Sequence, residues 1–154
     1  MRKLAGICLL SALPWTAGGL AGQQGASAEY IGGTLPTLDN RTGGRLHTTD
    51  DDYLIFDCDE TVIRIPYDRI NLLEYGQKVD RRYLAALVIS PMLLLSKSRA
   101  HYLTVGFSDD SGRQQAMIYR VSKKDIRPVL VSLEARTGVK IQYQDNEARK
   151  AGRG

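Results

Sequence analysis

The 154-residue chain has only two cysteines and two histidines. Once an N-terminal leader is removed, Cys58 stands alone and cannot close an intramolecular disulfide, so stability has to come from packing. One thiol and two histidines, His47 and His101, without ligand spacing make no zinc site. The chain also lacks an excess of one sign of charge. It carries 21 basic and 17 acidic residues, and losing Arg2 and Lys3 with the leader leaves 19 against 17, or +2. Such a balance gives no electrostatic footprint for nucleic acid. No phosphate-cradling G-x-x-x-x-G-K-S/T accompanies Gly32-Gly33 or Gly43-Gly44, which read as turn or bulge glycines. No cofactor is implied.

What is present begins with a leader. Basic Arg2 and Lys3, an apolar run over residues 4–13 ended by Pro14, and small residues beyond are the three parts of a secretory signal. Residues 1–21 fit that signal, with a cut after Ala21 and a second small-x-small point after Ala28. The run is about half of what a membrane-spanning helix requires. Export to a periplasm, an envelope or the extracellular space is therefore expected.

The remaining length predicts one domain. From Tyr30 onward, short segments rich in β-branched and aromatic residues alternate with Gly, Asp, Asn and Ser clusters, the pattern of an antiparallel β protein. Seven strands are predicted, over residues 30–35, 44–48, 53–58, 62–67, 70–76, 101–108 and 114–121. In the sixth, Leu103, Val105 and Phe107 share one face with His101, while Tyr102, Thr104 and Gly106 share the other. Asp109-Asp110-Ser111-Gly112 supplies the turn to the seventh. Pro66 points to an edge or bulge position.

Ile126, Val129, Leu130 and Leu133 recur at i, i+3, i+4 and i+7, which predicts a helix lying on the sheet. Asp125 suits its N-cap, since this puts Pro128 in the first turn, and Gly138 suits its stop. A final short strand over residues 139–143 is possible by pattern, and the basic tail, residues 144–154, predicts disorder.

Ile65-Pro66-Tyr67-Asp68-Arg69-Ile70 leads into Leu73-Glu74-Tyr75-Gly76. Later, His101-Tyr102-Leu103-Thr104-Val105, a turn and a strand precede the helix ending Leu133-Glu134-Ala135-Arg136-Thr137-Gly138. In this order of elements, residues 30–143 resemble a bacterial pleckstrin-homology-like domain, closest to the GRAM type. The resemblance implies a seven-stranded antiparallel sandwich or open barrel whose open end is plugged by the C-terminal helix. It also implies binding of lipids, phosphoinositides or peptides. The chain departs from that pattern by its export and by a long apolar insertion before the sixth strand.

That insertion covers residues 84–95, interrupted only by Ser90 and Pro91, between Arg81-Arg82 and Lys97 with Arg99. A helix starting after Asp80 and broken near Pro91 is predicted. At 1.5 Å per residue it reaches about 18 Å, short of the roughly 30 Å hydrocarbon core. Two readings stay open. The segment folds over the sheet as core, or Leu84, Leu87, Leu93, Leu94 and Leu95 contact a membrane or protein partner, with Arg81, Arg82, Lys97 and Arg99 meeting its charges.

Asp50, Asp51, Asp52, Asp57, Asp59 and Glu60 cluster in sequence but match no calcium loop, and read as solvated turn residues. Cys58 follows Leu54 and Phe56 at period two, which puts it on a buried face where a thiol is inert. No coherent catalytic set emerges. The sequence points to a non-catalytic binding or scaffolding module contacting a protein or membrane surface, with a structural or self-associating envelope protein built on residues 84–95 as the alternative.

Overall fold

A computed structural model describes residues 25–34, 38–59, 61–78 and 100–153. The elements are β1 Ala26–Gly33, β2 Thr42–His47, β3 Tyr53–Cys58, β4 Thr61–Pro66, β5 Ile70–Gly76, β6 His101–Ser108, β7 Gln114–Val121, α1 Ile126–Thr137, β8 Ile141–Tyr143 and α2 Asn146–Arg153. A 3-10 turn, Tyr67–Arg69, joins β4 to β5. The strands form one sheet in the order β4-β3-β2-β1-β7-β6-β5-β8. All pairs are antiparallel except β5 with β8.

Alternation decides which side chains meet. Tyr75, Leu103, Tyr119 and Tyr30 stand directly opposite one another across β5, β6, β7 and β1, and all four are buried in one core. Leu46 and Phe56 from the β1–β4 half enter the same core, joined by Ile126, Val129, Leu130 and Leu133 of α1. The predicted helical stripe is thus the buried one. Each such side chain contributes about 1.5–3 kcal/mol by leaving water. Gly138 ends α1 in the left-handed region at φ 70°, where a residue without Cβ is unstrained, and its N–H reaches the Glu134 carbonyl at 3.0 Å.

The structure corrects the sequence reading at several points. Among the described residues the sheet has eight strands and is mixed, because β8 adds parallel to β5. β1 begins four residues before Tyr30, since Ala26, Ser27 and Ala28 are held by β2 partners on one side and Ala28 by Val121 on the other. Asp125 precedes α1 but makes no side-chain cap. Its carboxylate instead accepts from Ser27 N at 3.1 Å and Ser122 Oγ at 2.6 Å, tying β1 to the turn before the helix.

The tail is not disordered over residues 146–153, which form α2. Asp145 Oδ1 accepts from Ala148 N at 2.6 Å, an N-cap, and Ala148 and Gly152 are buried one turn apart. Gly152 lies so close to Tyr143 that an added Cβ would sit 2.6 Å from its ring. Small residues here do the docking that large apolar ones do in α1.

The outer face of the sheet has its own apolar cluster. Ile31, Tyr102 and Ile118 are buried there, and Thr104 beside them is 5% exposed, so β6 is buried on both faces. Alternation after the inward Tyr30 puts Ile31 on that face, and a bulge between Tyr30 and Gly32 makes Gly32 the partner of Ile118 in the β1–β7 pairing.

Candidate functional site

Four strands build a transverse row on the outer face: Gly43 of β2 stands opposite Glu29 of β1, Glu29 opposite Arg120 of β7, and Arg120 opposite Tyr102 of β6. Glu29 and Arg120 form an ion pair. Beside this row opens a cleft of about 590 Å³, lined by Ser27, Glu29, Gly43, His101, Arg120 and Lys123 among others. A Cβ on Gly43 would meet nothing within 4 Å, so the glycine leaves the floor open. Lys123 has no ion-pair partner among the described residues. Glu29 and Arg120 therefore offset each other, and Lys123 is the one cation of the lining without an ion-pair partner among the described residues.

His101 closes one end. Its Nδ1 lies 2.6 Å from Tyr75 Oη and its ring stacks on the Tyr75 ring. Burial first, then the nearby positive charges of Lys123 and Arg127, hold the His101 pKa below the ordinary imidazole value. Its neutral form is favoured, and Tyr75, raised by its own burial, keeps its proton for the shared hydrogen bond. The arrangement supplies a polar, partly cationic cleft with a fixed imidazole at its rim.

The residues that could have formed a thiol–imidazole pair line three different cavities. Cys58 borders a hollow of about 380 Å³ with Thr42 and Thr61, and its thiol donates to the Thr61 carbonyl at 3.0 Å. His47 borders one of about 150 Å³ with Gly25 and Pro128. His101, whose ring turns to the inner face against Tyr75, borders the outer-face cleft only at the start of β6.

Of the clustered acidic residues, Asp50 acts within its own turn and Asp51 reaches across the fold. Asp50 Oδ1 accepts from Asp52 N at 3.0 Å and Tyr53 N at 2.8 Å, shaping the turn into β3. Asp51 pairs with Arg136, whose guanidinium also covers the Tyr67 ring 5.6 Å from its centroid and donates to Thr49 O at 3.1 Å. Arg136 thereby pins α1 to the β2–β3 loop.

Arg81, Arg82, Leu84, Leu87, Leu93, Leu94, Leu95, Lys97 and Arg99, the contact residues expected from sequence, lie outside the described residues. The cleft residues Glu29, Arg120 and Lys123 were not expected. Arg120 gave a signal, being the one charged residue in the otherwise uncharged β7 segment, but nothing local names Glu29 as its neighbour.

In comparisons with known proteins, no family model matches the chain and no curated protein is significantly similar to it. Among the described residues no helix is long and apolar enough to cross a membrane.

Proposed function

We propose that this chain is a non-catalytic binding or scaffolding module of pleckstrin-homology-like architecture, exported to the envelope or the extracellular space, that contacts a protein or membrane surface. The observation that carries the reading is the outer-face cleft, with the Glu29–Arg120 pair on its wall and Lys123, which has no ion-pair partner among the described residues, on its rim. A shallow cationic recess on a rigid sheet suits recognition of an acidic surface. The architecture is supported by the order of elements, in which two meanders meet through β1 and β7 and one helix fills the core between them. Export rests on the leader at residues 1–21, and a cut after Ala21 leaves β1 whole where one after Ala28 would remove its first three residues.

The test is co-sedimentation of the full chain with vesicles containing anionic phospholipid, alongside capture from native envelope extract. Wild-type protein should be retained in one assay and the Arg120→Glu, Lys123→Glu double variant should not. Equal behaviour of the two proteins in both assays would overturn the assignment of this cleft.

A further inference from the structure

The two ends of the sheet are finished differently. At one end β5 is covered by the chain's own β8, while at the other β4 has no strand beyond it among the described residues. Two of the three large hydrophobic side chains exposed among the described residues gather at that open end, Val62 at 46% and Tyr53 at 38%. Ile63, on the inner face of the same edge, is only partly covered although it packs against the main core. Proteins guard such edges with charge and proline. β4 has Arg64 and Pro66, but its charge has a counterpart nearby.

On the outer face Val62 stands opposite Asp57 of β3, and Arg64 stands opposite Ile55. Asp57 and Arg64 are both exposed, and neither side chain has a partner among the described residues. The two charges sit diagonally, one strand apart, with Val62 beside the aspartate.

We propose that β4 pairs antiparallel with β4 of a second copy of this chain, on a twofold axis at Ile63. Residues opposed across a strand pair share a face, and a slip of one residue would turn the apolar side of β4 outward. Centring the axis on Arg64 would set two guanidiniums directly against each other. Centred on Ile63, the register sets Ile63 against the partner's Ile63, burying both, and Val62 against the partner's Arg64. That guanidinium then crosses Val62 toward Asp57, two strand spacings of roughly 4.8 Å away. The contact is made twice by symmetry. One six-residue edge buries less than a stable interface of about 1,200–2,000 Å², so the dimer is a weak, concentration-dependent one.

Sedimentation velocity of the full chain over a concentration series tests this. Wild type should shift from monomer to dimer as concentration rises, and the β4 amides should gain hydrogen-exchange protection in parallel. Arg64→Asp and Asp57→Lys should each abolish the shift, and the double charge swap should restore it. All three variants alter exposed side chains, so circular-dichroism melting should place each within a few degrees of wild type. A wild type that stays monomeric, a dimer indifferent to the single swaps, or a double swap that remains monomeric would each overturn the pairing. Indifference would assign association to another surface.

Discussion

Tyr75 Oη lies 2.6 Å from His101 Nδ1, and the two rings stack with centroids 6.0 Å apart and planes 9° from parallel. Tyr75 is fully buried between the sheet and α2, and His101 turns inward to it from the end of β6 that borders the cleft, so one hydrogen bond links the core to the edge of the candidate site.

The imidazole gives stability a defined pH dependence. Its folded pKa is lowered, so the unfolded chain binds the proton more readily. This contribution is fully present above the unfolded value of about 6.5 and is lost as pH falls from there through the folded pKa. Wild-type urea midpoints should decline as pH falls below about 6.5, and His101→Gln should flatten that decline. An NMR titration reporting a His101 pKa at or above the free value would refute the assignment. Tyr75→Phe should cost about 1–2 kcal/mol by removing the partner of Nδ1.

The phase of α1 can be checked with two substitutions two residues apart, on opposite faces of the helix. Leu133 is fully buried while Val131 is 67% exposed. Leu133→Ala should destabilise by about 2–5 kcal/mol, and Val131→Ala should stay within about 0.5 kcal/mol of wild type. Comparable losses in denaturant melts would mean the helix faces the sheet differently.

Asp109 organises the β6–β7 turn. Its carboxylate accepts from Ser111 N and Oγ at 2.9 and 2.7 Å, Arg113 N at 2.9 Å, and Gln115 Nε2 at 2.9 Å. The Ser111 hydroxyl, then the Arg113 amide and Gln115, hold its pKa well below the usual carboxylate range. The stabilisation is complete above the unfolded pKa of about 3.9 and is lost as pH falls below it. Asp109→Ala should lower the urea midpoint at pH 7, Asp109→Asn less so, and both deficits should shrink in acid. A pH-independent deficit would rule out the charged turn as its cause.

Docking of α2 rests on Ala148, which has no exposed surface. Ala148→Asp would bury an unpaired charge. It should release the helix, seen as rapid tryptic cleavage at Arg149 and Lys150, at a cost of about 1–3 kcal/mol to the whole domain. Unchanged protease resistance would argue that α2 does not pack as described.

Much of the fold was legible in the residues. β3, β5, β6 and β7 fall where alternation and turn chemistry put them, because β-branched and aromatic side chains at period two leave one consistent register and Asp109 with Gly112 fixes the reversal. The start of β1 was not legible, since Ala26, Ser27 and Ala28 have little strand preference of their own and are held by neighbours distant in sequence. α2 was missed for a related reason: its buried face is made of Ala148 and Gly152, which carry no hydrophobic signal.

The sequence by itself determined the β class, the position and buried face of α1, and the inward direction of Cys58 and His101, because each follows from a local period that packing must respect. Only the tertiary structure decided the rest. Glu29 meets Arg120 across 91 residues, β8 covers the β5 edge while β4 has no strand beyond it among the described residues, and Asp125 serves β1 instead of its helix. These relationships depend on which strands become neighbours, and strand order is set by how the whole core closes, not by any segment's own pattern.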